Sequence, residues 1–147
     1  MSTVAISSIE SQLKSIQQLI QTAKFTQAVN QSKQLLEAVP EQQYQTQLYY
    51  LLAVAQRYEK DYSQALISIN TLIKFDEQHS RAHQEQGYIH LALQEKTSAK
   101  LSFEKAVKLN PSLVASWQEL IELYRLDNHQ SNIQKVANQL AKLKSLP

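Results

Sequence analysis

A single glycine, Gly87, serves the whole 147-residue chain, and that scarcity excludes two architectures at once. β-Hairpin turns favour residues that tolerate φ > 0, and phosphate loops need glycines where the backbone approaches oxygen. Cysteine is absent, so disulfides, thiolate metal sites and a cysteine nucleophile are excluded. No stretch of about 18 uninterrupted apolar residues occurs, and no basic start runs into an apolar core with a small-residue cleavage site. A cytoplasmic location is expected on that basis. The formal charge is only +2 and the basic residues are scattered along the sequence, which argues against nucleic-acid and membrane partners. Asn30-Gln31-Ser32 matches a glycosylation acceptor, and without a secretory signal it is read as a chance match.

What the chain does have is helical periodicity. Ile6, Ile9, Leu13, Ile16 and Ile20 form one apolar stripe, and Leu48, Leu52, Ala55 and Tyr58 form another. Spacings of three and four, with no sustained alternation, predict an all-α fold. Polar and turn residues break the pattern at 22–24, 39–41, 59–61, 77–80, 94–97, 110–112 and 127–130. Eight helices of roughly 12 to 18 residues follow, and the short connections force antiparallel hairpins. Pro40 and Pro111 are expected to open new helices, since proline lacks an amide proton.

So regular a count invites a search for repeats. With Pro111 as the closing proline of a 34-residue helix-turn-helix unit, Ala99, Phe103 and Ala106 take the packing positions of its second helix and Gly87 the glycine position of its first. One period on, Trp117, Leu120 and Tyr124 fall on the Trp, Leu and Tyr positions; one period back, Tyr49, Leu52, Ala53, Tyr62 and Ala65 fit. Phe25, Ala28, Leu35 and Pro40 fit a further repeat once about three residues near 43–45 are treated as inserted.

On these residues the chain resembles the tetratricopeptide repeat family over essentially its whole length. The resemblance implies one domain, 1–147, a right-handed α-solenoid of four repeats at about 9–42, 46–79, 80–113 and 114–147. Departures are His83 and Gln86 on the Trp and Leu positions of the third repeat, Ile121 for Gly in the fourth, and a first repeat without the Trp, Gly and Tyr signatures. Trp117 is expected to fill the joint between the third and fourth repeats. The last helix carries Ile133, Val136, Ala137, Leu140 and Leu143 and runs to Leu146-Pro147 without a polar capping helix beyond it. That leaves two expectations: the chain is the front piece of a longer protein, or a second copy covers the last helix by self-association.

Catalysis finds little to stand on. His79, His83 and His90 share helical spacing but lie in no zinc motif. Glu119 and Glu122 are read as a solvated face, and no G-x-S-x-G elbow exists. No enzyme activity, cofactor or metal is expected of this chain. The family resemblance implies instead that first helices line a groove holding a peptide or protein. It assigns to that groove Gln47, Tyr50, Val54, Arg57 and Tyr58 in the second repeat, Arg81, Gln84, Tyr88 and Leu91 in the third, and Gln118, Glu122 and Arg125 in the fourth. Tyr and Arg are enriched at binding hot spots, and guanidinium takes carboxylates bidentately. The carboxylate clamp of the chaperone-binding subclass falls on Leu13, Gln17, Leu51, Arg81 and Glu85. Only Arg81 keeps the clamp's chemistry, so chaperone tails are not the expected ligand. Residues 81–126 also resemble the repeat region ahead of the catalytic domain in bacterial tetratricopeptide-containing sulfotransferases. That resemblance implies, as the alternative, a regulatory or substrate-positioning arm of a larger enzyme.

Overall fold

The structure, a computed structural model, describes residues 3–145, with side chains from residue 8 onward; Ile6, Leu146 and Pro147 of the reading above lie outside the described side chains. Among the described residues there are eight α-helices and no strand: α1 (Thr3–Gln21), α2 (Phe25–Ala38), α3 (Gln42–Tyr58), α4 (Tyr62–Phe75), α5 (Ser80–Ala92), α6 (Lys96–Leu109), α7 (Val114–Leu126) and α8 (Gln130–Lys144). The all-α expectation is met. Each odd, leading helix packs against the even, trailing helix that follows it.

One device turns every hairpin. The leading helices end on residues in the left-handed region, Ala23 (φ 60°), Lys60 (68°), Gln94 (63°) and Asn128 (58°). The next amide reaches back five residues: Lys24 N–H to Leu19 O at 2.8 Å, Asp61 to Gln56 at 2.9 Å, Glu95 to His90 at 2.8 Å and His129 to Tyr124 at 3.0 Å. This Schellman closure satisfies carbonyls that a helix end leaves orphaned. Glycine usually supplies the left-handed residue; here none does.

The left-handed residues fall at 23, 60, 94 and 128, intervals of 37, 34 and 34. The longer first interval has a place in the structure. Residues 43–45 form the first turn of α3, which runs 17 residues against 13 for α5 and α7. Tyr44, within that turn, is buried. The extra residues therefore lengthen a helix, not a loop.

The prolines depart from expectation. Pro40 sits in the 39–41 connection and Pro111 in the 110–113 connection, each before its helix begins. Both connections are pinned instead by buried apolar residues, Val39 and Leu113. Asn110 Oδ1 accepts from Ser112 N–H at 3.1 Å, an Asx turn that carries the chain past the proline.

Two compact units result, residues 1–77 with α1–α4 and residues 78–147 with α5–α8. In the first unit Ile9, Leu13 and Ile16 of α1, Ala28, Val29 and Leu35 of α2 and Tyr44, Leu48, Leu52 and Ala55 of α3 share a core. In the second, Ala99, Phe103 and Val107 of α6, Leu120, Leu123 and Tyr124 of α7 and Val136 of α8 share another. The division falls just before the helix that carries His83 and Gln86 in place of Trp and Leu.

Within hairpins, volume is traded between two positions, seven residues before and nine after the left-handed residue. The pairs are Ile16 and Ser32, Ala53 and Ile69, Gly87 and Phe103, Ile121 and Ala137. At Gly87 the reason is direct: a Cβ there would lie 2.7 Å from the Phe103 ring, closer than any packed side chain tolerates. Where the leading helix is bulky the trailing helix is small, which is how close-packed helices interdigitate. The trade explains why Ile121 is tolerated at a glycine position.

Candidate functional site

In the first unit the leading helices α1 and α3 bound a groove of about 190 Å³ lined by Glu10, Leu13, Lys14, Gln17 and Gln47. Its floor, Leu13, is buried among core residues, while its rim is exposed and polar. Glu10 and Lys14 stand one turn apart, so the rim carries both signs. A second cleft, about 390 Å³, opens between α1 and α2, lined by Gln12, Ser15, Ile16, Gln31, Gln34, Leu35 and Ala38. Gln12 and Ser15 occupy the positions where α3 has Tyr49 and Leu52 and α7 has Trp117 and Leu120. Small and polar groups there leave space that aromatic and leucine side chains fill elsewhere. Next to this cleft, Ser32 is fully buried and its hydroxyl has no hydrogen-bond partner among the described residues.

The predicted groove residues of α3 fall into three environments. Gln47 is exposed on the α1–α3 groove. Tyr50 and Val54 are half-buried. Arg57 and Tyr58 lie at the turn end of the helix, the guanidinium carbon 4.6 Å from the Tyr58 ring centre. Tyr58 also stacks on Phe25, the first residue of α2, with centroids 4.9 Å apart and planes 9° from parallel. Tyr58 therefore belongs to the turn edge, where Thr26 Oγ1 also donates to Glu59 Oε1 at 2.6 Å. The family resemblance places it in the groove, but a repeat position does not tell a side chain's neighbour on the adjoining helix.

In the second unit Arg81 of α5 and Gln118, Glu122 and Arg125 of α7 are exposed. Arg125 Nη1 donates to Glu122 Oε1 at 2.5 Å, so these two neutralise each other. Glu122 and burial together hold the Glu119 carboxyl above the usual carboxylate range, burial being the larger cause. Tyr88 is half-buried with its ring edge-on to Phe103 at 5.4 Å, and Leu91 is half-buried against the core. Gln84 corrects the expectation. It is 8% exposed, and its amide donates to the fully buried Ser116 hydroxyl of α7 at 2.8 Å. A buried amide must find a partner, and Gln84 found one inside the unit, tying α5 to α7 rather than facing a ligand. Nothing at Gln84 itself signalled this; a small hydroxyl residue at 116 was the available sign.

Trp117 packs half-buried on the α6–α7–α8 core and donates its indole N–H to the Pro111 carbonyl at 2.8 Å. The joint it fills is the expected one, between α6 and α7. The histidines do not converge: His79 caps α5, its Nδ1 accepting from Ala82 N–H at 3.0 Å, His83 is buried, and His90 Nδ1 lies 2.8 Å from Glu95 Oε2. Among the described residues no group of three or more His, Cys, Asp or Glu is placed to hold a metal ion. No described helix is long and apolar enough to cross a membrane.

Comparison with known proteins agrees with this architecture. The tetratricopeptide repeat family model matches residues 46–79 and 80–113, two successive 34-residue units of this chain. Among solved structures, the fold resembles MamA from Desulfovibrio magneticus RS-1 (18% identity, TM-score 0.78, covering 92% of this chain and 75% of that one). It resembles the first tetratricopeptide domain of Spaghetti (RPAP3) bound to the HSP90 peptide SRMEEVD (19%, 0.73, 80% and 91%). It also resembles YrrB, described as a tetratricopeptide protein with an unusual peptide-binding site (12%, 0.72, 93% and 69%). No curated protein matches the chain, and none of these likenesses supports the sulfotransferase resemblance.

Proposed function

We propose that this chain is a non-catalytic interaction scaffold that holds a peptide or protein segment on its leading helices. The carrying observation is the α1–α3 groove: an apolar floor at Leu13 flanked by exposed Glu10, Lys14, Gln17 and Gln47. Amide side chains on a rim offer both donors and acceptors to an extended backbone, and Leu13 offers a seat for one apolar side chain. Structural relatives that hold peptides, RPAP3 and YrrB by their descriptions, support the reading. On the second unit the proposed binding residues are exposed Arg81, Gln118, Glu122 and Arg125 with half-buried Tyr88 and Leu91, and on the first unit Tyr50, Val54 and Arg57 of α3 join Gln47.

The clamp positions Leu13 and Gln17 carry no cation, so the groove is proposed to take segments without a terminal acidic cluster. Self-association through α8 is the less favoured arrangement, because all but one of the residues that helix exposes are polar or charged, Gln134, Lys135, Asn138 and Lys142 among them. The test is to pan a random-peptide phage library on the full chain and titrate the enriched peptides by calorimetry. Wild type is expected to bind them about tenfold or more tightly than Gln47→Lys or Arg81→Glu. Equal affinity for both variants sinks the reading.

A further inference from the structure

Basic residues that look scattered along the sequence are concentrated on the trailing helices of the second unit. The trailing helices of the second unit, α6 (KTSAKLSFEKAVKL) and α8 (QSNIQKVANQLAKLK), together hold seven lysines and one acidic residue, Glu104. The trailing helices of the first unit hold two lysines and one glutamate. Glu104 does not offset the lysines toward solvent: it accepts the Tyr124 hydroxyl, which burial and this carboxylate push up to about 12. Lys100 is committed to Asp127 at 2.6 Å, but Lys105, Lys108, Lys135, Lys142 and Lys144 are exposed and form no salt bridge among the described residues.

Helical period places Lys105 and Lys108 on one side of α6 and Lys135 and Lys142 on one side of α8. Ala99, Phe103 and Val107 turn one side of α6 into the core, and Val136 does so for α8. Leu101, Lys105 and Lys108 recur at four and three residues on the opposite side of α6, and Lys135, Asn138 and Lys142 on that of α8. Leu101, amid the α6 lysines, is 61% exposed. We infer that the solvent side of α6 and α8 is a second interaction surface, one that takes an acidic, amphipathic protein segment with an apolar side chain seated on Leu101.

The chemistry selects that partner among polyanions. The surface cations are all lysines, which lack the planar fork that arginine brings to phosphate and base recognition. The two stripes carry no aromatic ring on which bases would stack. An exposed leucine gains nothing from a phosphate backbone but gains burial from an apolar residue of a carboxylate-bearing segment. Ile67 supplies an internal control: it is 59% exposed on α4, yet α4 carries Lys74 alone.

Fluorescence anisotropy on the full chain tests this, with a labelled synthetic peptide in which glutamate pairs alternate with leucine. Binding is expected to weaken as salt rises, to drop about tenfold in Lys105→Glu/Lys142→Glu and about threefold in Leu101→Ser, and to be unchanged in Ile67→Ser. Far-UV circular dichroism checks that each variant keeps its helices. Three outcomes overturn the inference: equal binding by wild type and the double reversal, equal binding of a peptide whose leucines are serines, or displacement of the peptide by oligouridine or phosphatidylserine vesicles at lower concentration than by unlabelled peptide.

Discussion

At the turn edge of the first unit, Phe25 opening α2 stacks on Tyr58 closing α3; at the same places in the second unit stand Lys96, opening α6, and Leu126, closing α7. The first edge is sealed by two rings. The second keeps a cleft of about 30 Å³ lined by Lys96, Thr97, Leu123, Leu126 and Asp127, and Leu126 is 65% exposed. An ion pair spans it, with Lys100 Nζ donating to Asp127 Oδ2 and holding that carboxyl below its usual range. One backbone plan is thus finished by aromatic packing in one unit and by charge in the other. Net charge follows the same split: the second unit carries nine Lys and Arg against six Asp and Glu, the first six against seven. Surface chemistry can diverge this far because the hairpins are held by backbone bonds at their turns and by the volume trade across each helix pair, not by the chemistry of exposed side chains.

That volume trade is where the comparison breaks most visibly. The first hairpin pairs Ile16 with Ser32, the third Gly87 with Phe103. Phe103→Ser is expected to cost about 4 kcal/mol, as for truncating a buried aromatic, and Gly87→Ile about 3 kcal/mol by forcing a Cβ into the ring. The double variant rebuilds the first hairpin's combination in the second unit, so it is expected to lie about 2 kcal/mol above the sum of the singles. Urea melts followed by Trp117 fluorescence report on the second unit, because the chain has no other tryptophan. Strict additivity would show that the two positions do not trade volume.

A smaller effect sharpens the edge comparison. Transplanting the sealed edge with Lys96→Phe and Leu126→Tyr is expected to stabilise the second unit by about 1 kcal/mol, the worth of an aromatic pair beyond its area. The same melts check it. If the double variant gains no more than the sum of its singles, the stack does not form and the edge geometry of the two units differs.

Much of this architecture is legible from residue types alone. Breaks at 22–24, 39–41 and 59–61 coincide with the connections found, because helix-breaking residues and the lapse of apolar period mark the same places. Trp117 is legible as a joint residue. The volume trade at Gly87 and Phe103 is half-legible: the residues stand out, but their mutual contact is a tertiary fact. The site is read less well. The family resemblance assigns Gln84 to a groove, yet Ser116 on the next leading helix captures its amide. The resemblance likewise misses that Tyr58 has Phe25 as a neighbour. The lysine stripes escape a linear reading, since Lys105 and Lys108, and Lys135 and Lys142, fall on one side of their helices only when the helical period is applied.

The hairpin turns hold the subtlest consequence of the scarcity of glycine. Ala23, Lys60, Gln94 and Asn128 are all exposed and all left-handed, a conformation that costs an ordinary residue about 1 to 2 kcal/mol through crowding of Cβ against the carbonyl oxygen. Glycine removes that crowding, but its unfolded chain is freer by about 0.5 to 1 kcal/mol. The difference favours glycine by about 0.5 kcal/mol at Ala23, Lys60 and Gln94, and by close to nothing at Asn128, since asparagine tolerates this region best of the other residues. Gln94→Gly and Asn128→Gly are read by urea melts on Trp117, and Ala23→Gly and Lys60→Gly by hydrogen exchange of the α2 and α4 amides. A gain at Asn128 equal to that at Gln94 would mean that side-chain crowding is not what these turns store. A loss at Ala23, Lys60 and Gln94 would mean that chain entropy outweighs crowding, and that these hairpins close on their Schellman bonds at no measurable cost from the missing glycines.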